Sequence, residues 1–177
     1  MKFSKRSLEY LNIFQPREGV NMDQIELGKF IQARRKRFHF TQEELGIKIG
    51  YSAQAISKFE EGCASISCFV LPILAEALNF KLDEIVIKRK DVMETSLTPV
   101  TLPLLTKQLK LIRLYNKISQ NIFSSTLGIS PRTIRNYERG ISIPPISFLL
   151  DLYKNFKILP SQIMYEKREY GILCKPE

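Results

Sequence analysis

The sequence predicts an all-α chain of two tandem five-helix domains joined by an extended linker. Three observations carry that prediction. Residues 118–140 read as two short helices around a tight turn. The same pattern stands 78 residues earlier, at 40–62, in an alignment without a gap. Apolar residues on both sides of each copy recur at helical spacing, enough for flanking helices.

The later copy shows the local chemistry. Ser119 suits the N-cap of the first short helix, where its hydroxyl accepts from orphan backbone N–H groups. Ile118 and Phe123 stand where a hydrophobic staple pins the entry angle. Gly128 suits a left-handed residue after that helix. Ser130 caps the second helix, and Pro131 fits its first position, where no N–H is needed. Ile134 and Tyr137, three apart, face a core, which leaves Arg132, Arg135, Asn136 and Arg139 on the open face.

In the earlier copy Gln42, Gly50, Ser52, Ile56, Glu60 and Gly62 are identical to Gln120, Gly128, Ser130, Ile134, Glu138 and Gly140. Thr41/Ser119, Leu45/Phe123, Ile49/Leu127 and Phe59/Tyr137 are conservative pairs. Caps, core positions and terminating glycines repeat at one offset, so the unit of folding is the repeat.

Residues 1–21 form a leader. Leu8, Leu11 and Phe14 suit a short amphipathic helix, broken at Pro16 and Gly19. A basic arm, a loosely ordered leader and a packing segment are all compatible with it. The first unit runs over 22–87. Its first helix ends near Phe38 with the basic run Arg34-Arg35-Lys36-Arg37, which complements the helix dipole and equally suits a phosphate. Thr41 and Glu44 form a capping box for the second helix. The third is expected over about 53–60, the fourth after Ser67 and the fifth over about 82–87.

Residues 88–102 are the expected linker, with Pro99 keeping it extended. Fifteen stretched residues span roughly 50 Å, more than one DNA turn of about 34–36 Å. The second unit runs over 103–165, with helices expected at about 103–115, 120–127, 131–138, 145–156 and 160–165, and 166–177 form a tail.

The net charge of +9 is uneven. Residues 22–96 hold eleven Lys/Arg and eleven acids and are neutral. Residues 97–165 hold nine Lys/Arg and two acids, giving +7. Basic charge gathered in one small unit favours a polyanion partner. No apolar run is long enough to span a membrane. The N-terminus lacks the pattern of a secretory signal, and three cysteines make no paired framework, which points to the cytoplasm. One His and no Cys-x-x-Cys pair speak against a metal site. No catalytic constellation stands out, so neither enzyme activity nor a cofactor is expected.

Both copies resemble the phage-repressor helix-turn-helix family, of Cro and lambda-repressor type. The motif reads Thr41-Gln42, Gly46, Gly50, Ser52, Ile56, Glu60, Gly62 and then Ser119-Gln120, Ser124, Gly128, Ser130, Ile134, Glu138, Gly140. The mid-helix residue is usually Ala in this family; here it is Gly46 and Ser124. The resemblance implies a transcriptional regulator whose third helices enter the major groove of double-stranded DNA. It implies phosphate contacts for Gln42 and Gln120. Ala53, Gln54, Ser57 and Lys58 would face DNA in the first unit, and Pro131, Arg132, Arg135 and Asn136 in the second, where Arg139 shares the open face. Gln54 and Ser57 equally suit a solvated surface. Arg35–Glu60 and Arg113–Glu138 are implied to be structural pairs. The neutral first unit raises the alternative of an antitoxin-like regulator, pairing through that unit or the N-terminal segment with a protein or a second copy.

Overall fold

The computed structural model describes residues 22–87 and 97–167. The expected leader, residues 88–96 of the linker and residues 168–177 of the tail lie outside these. In the first unit α1 is Gln24–Arg37, α2 Gln42–Ile49 and α3 Ala53–Glu60. A 3-10 turn, Cys68–Val70, leads into α4, Leu71–Ala77. The expected fifth helix is instead a 3-10 turn, Leu82–Ile85. In the second unit α5 is Leu102–Tyr115, α6 Gln120–Thr126, α7 Pro131–Arg139, α8 Ile146–Phe156 and α9 Pro160–Met164.

Local signals place these helices. Asp23 caps α1 and Thr41 caps α2, each in a reciprocal box with a glutamate three residues on. Ser52, Ser119 and Ser130 cap α3, α6 and α7. Gly50 and Gly128 carry positive φ of 76° and 66° in the two tight turns, a conformation that costs a residue with a Cβ.

The core is apolar and continuous through both units. Leu27, Ile31, Leu45, Ile56, Phe59, Leu71 and Leu74 fill the first, and Leu105, Leu109, Phe123, Ile134, Leu149 and Leu152 the second. Gly46 is explained by packing: a Cβ there would run into the Tyr51 carbonyl oxygen. Its counterpart Ser124 is buried and donates its hydroxyl to the Asn121 carbonyl oxygen.

Not all of the expected linker is extended spacer. Leu97–Pro99 forms β1 and pairs antiparallel with β2, Tyr165–Lys167. The Val100 amide donates to the Met164 carbonyl at 3.0 Å. This two-stranded ribbon ties the segment before α5 to the end of the second unit.

The two units also meet each other, through equivalent residues. Ser67 and Pro145, 78 apart, face each other in an antiparallel bridge. The Cys68 amide donates to the Pro144 carbonyl at 3.0 Å, and the Ile146 amide to the Ile66 carbonyl at 2.9 Å. The repeat offset turns each of these bonds into the other. The 3-10 turn Leu82–Ile85 packs on its own counterpart, α9. There the Asp83 carboxylate accepts from the amide and hydroxyl of Ser161, again 78 residues on, at 2.9 and 2.7 Å. An interface in which equivalent residues meet reciprocally is isologous. The units are therefore related by an approximate two-fold axis inside one chain.

Candidate nucleic-acid interface

Helix α7 presents the second unit's open face. Ser130 fixes its start by accepting from the Thr133 amide at 3.1 Å. Ile134 is buried, and Tyr137 packs edge-on against Phe148 with ring centroids 5.2 Å apart. These two anchors turn Pro131, Arg132, Arg135 and Arg139 to solvent, with Asn136 half-buried at the margin. None of the three arginines forms a salt bridge among the described residues. Their guanidinium groups keep free donors in a fork geometry that suits phosphate or a guanine edge.

Helix α3 stands at the equivalent place with different chemistry. Ile56 and Phe59 are buried, which leaves Gln54 and Lys58 exposed and Ala53 and Ser57 half-buried. The Ser57 hydroxyl donates to Glu61 at 2.8 Å. By offset Gln54 stands where Arg132 does, Ser57 where Arg135 does, Lys58 where Asn136 does and Glu61 where Arg139 does. Lys58 and Glu61 cancel on the first face, whereas three arginines add on the second.

The helices before them differ in the same sense. Glu43 and Glu44 are exposed in the first turn of α2; their counterparts in α6 are Asn121 and Ile122. Hydrogen bonds from the Thr41 amide, then its hydroxyl, outweigh slight burial and hold the Glu44 carboxyl below its usual value, so it stays ionised. In the sequence Glu44 reads only as the partner of Thr41 in a capping box, and Glu43 and Glu61 carry no local signal. The repeat offset itself carries the signal that finds them, once the acids are compared position by position.

Gln42 and Gln120 turn inward. The Gln42 side-chain amide donates to Glu60 at 3.0 Å, and that of Gln120 to Glu138 at 2.7 Å. Each glutamine thereby supports an ion pair with one side-chain N–H, and its amide carries a second donor. Arg35 grips Glu60 with two bonds, Nε to Oε1 at 2.5 Å and Nη2 to Oε2 at 2.8 Å. Arg113 grips Glu138 likewise, at 2.6 and 3.1 Å. Both arginines also donate to the loop before the next helix, at the Phe40 and Ile118 carbonyl oxygens. The pairs thus lock the first helix, the loop and the end of the third helix together.

Burial pushes the Glu60 carboxyl up, but hydrogen bonds from Arg35, Gln42 and Gln32 and the Arg35 charge outweigh it. The group is held below its usual value. Arg35 is raised, chiefly by its bond to Glu60, with burial opposing. Arg34, by contrast, leaves the basic run to pair with Glu84 and to bond the Asn79 carbonyl oxygen. Two of that run's four cations are therefore held by the fold.

A family model described as helix-turn-helix matches residues 31–85, and one described as helix-turn-helix domain matches residues 106–169. The chain carries two helix-turn-helix domains of Cro and lambda-repressor type in tandem. No curated protein and no solved structure matches the chain. Each helix-turn-helix motif is α2–α3 in the first domain and α6–α7 in the second. Among the described residues no cluster of His, Cys, Asp and Glu suits a metal ion. No described helix is long and apolar enough to cross a membrane. Cys63 is exposed and Cys68 buried, its thiol pushed up to about 12 chiefly by burial.

Proposed function

We propose that this protein is a sequence-specific, double-stranded DNA-binding transcriptional regulator in which the second head supplies most of the affinity and readout. The observation that carries this is the arginine face of α7, exposed and without a salt bridge among the described residues. In the major groove Arg132 and Arg135 are placed to pair with guanine edges, and Arg139 with phosphate. On α3, Gln54 offers an adenine contact, with Ala53, Ser57 and Lys58 beside it. Glu43, Glu44 and Glu61 weaken that head's hold on a polyanion by repulsion. Phosphate contacts near the start of α2 and α6 come from Gln42 and Gln120, whose side-chain amides each keep a second N–H beside the one held by Glu60 or Glu138.

The alternative, a first domain that pairs with a protein or a second copy, has less support. The segments of that domain around Ser67 and Asp83 are already paired with the second domain. The deciding experiment measures binding to a selected duplex by anisotropy. Arg132→Ala with Arg135→Ala should weaken binding far more than Gln54→Ala. Equal losses would overturn the dominance of the second head.

A further inference from the structure

We infer that one chain, without a partner copy, recognises an approximate inverted repeat of two unequal half-sites on one face of a duplex. This rests on the DNA-binding reading above and deepens it by naming the arrangement of the target.

Ser67 meets Pro145 and Asp83 meets Ser161, each residue facing its own repeat equivalent. The flanking amide bonds, Cys68 to Pro144 and Ile146 to Ile66, exchange under the same offset. Two heads in a head-to-tail, direct-repeat arrangement would join through non-equivalent surfaces instead. A two-fold rotation leaves position along its axis unchanged, so α3 and α7 lie level along that axis. Duplex DNA has two-fold axes perpendicular to its length, and a sequence shares them when it is an inverted repeat.

The interface is also built for unlike halves. Asp83 sits on the axis with Ser161 opposite, its carboxylate satisfied by the serine amide and hydroxyl. Two copies of the first domain joined through this surface would bring two buried Asp83 carboxylates face to face, which is costly. The surface therefore disfavours two first domains and suits first domain with second. It holds in register two helices whose reading residues differ at Gln54/Arg132, Ser57/Arg135 and Lys58/Asn136. The half-site under α7 carries the guanines that the arginines read, and the half-site under α3 differs from it.

The test uses the full chain and a site selected from random duplex DNA. Synthetic duplexes keep the α7 half-site fixed. They present the other half-site inverted, as a direct repeat, or shifted by about five base pairs, half a turn. The inverted form should bind at least about ten-fold tighter than the others, since linked heads gain from simultaneous engagement. The complex should have the mass of one chain per duplex. Ser161→Asp should abolish the preference for orientation and spacing while the α7 half-site still binds. The exchange of Asp83→Ser with Ser161→Asp should restore that preference, because the two positions are equivalent.

Equal binding to direct and inverted repeats, or two chains per duplex, would overturn the inference. A selected motif of one short block would overturn it too, and would leave the DNA-binding function standing. Failure to select any motif would overturn both.

Discussion

Asp83 and Ser161 occupy the same place in the two repeats and bond to each other across the domain interface, at 2.7 Å between carboxylate and hydroxyl. Asp83 is buried, and burial raises its carboxyl above the usual value against the opposing bonds from Ser161. Ser161→Ala removes one of its two donors. The expected cost is about 1–3 kcal/mol, the penalty for a buried acceptor left short of a partner. Urea unfolding of the full chain measures it.

The raised carboxyl also gives this contact a pH signature. Its folded value lies above its unfolded value, so its contribution is full below the unfolded carboxylate pKa. That contribution is lost as pH rises through the folded value. Asp83→Asn should therefore cost more stability under acidic conditions than at neutral pH. Unfolding midpoints of the two proteins across that range check the sign.

Glu60 behaves in the opposite sense. Its folded value is depressed, so its stabilisation is present above the unfolded value, about 4.5, and drains away as pH falls through the folded one. Arg35→Met leaves this carboxylate buried without its main partner, with an expected loss of about 3–5 kcal/mol. Arg113→Met should cost less, because the side chains of its pair are more exposed, 12% and 5% against 9% and 0%. Parallel denaturation curves of the two variants make the comparison.

Gly46→Ala should destabilise, although alanine gains up to about 1 kcal/mol in helix propensity. The new methyl group would collide with the Tyr51 carbonyl oxygen, backbone that cannot swing aside. Overpacking of this kind costs about 1–3 kcal/mol. A melting temperature at or above that of the parent would refute this account of the glycine.

Glu43→Gln with Glu61→Gln should strengthen non-specific DNA binding and steepen its dependence on salt. Both groups are exposed, so the change acts through repulsion of phosphate rather than through the fold. Titration of random-sequence duplex at two ionic strengths reads both effects.

The two helix-turn-helix motifs and the caps at Thr41, Ser52, Ser119 and Ser130 were legible in the sequence because each rests on contacts a few residues apart. Ser119, Ser130 and the box at Thr41 announce themselves locally, and the family resemblance implied the pairs Arg35–Glu60 and Arg113–Glu138. The domain interface was not legible. Asp83 in sequence reads as an ordinary acid in the first turn of a short helix, and only the fold brings Ser161 to it. The ribbon of Leu97–Pro99 with Tyr165–Lys167 is not legible for the same reason: its partners are remote, and prolines alone suggest only extended chain. For Gln42 and Gln120 the motif gives the position but not the side-chain direction, which the buried carboxylates decide.

The most direct measurement is selection of binding sites from random duplex DNA with the full-length chain, at two salt concentrations. The account predicts a bipartite motif with fixed spacing, guanines in the stronger half, and enrichment that persists at the higher salt. Binding without enrichment, vanishing as salt rises, would contradict it and leave a basic fold whose specific partner is not DNA.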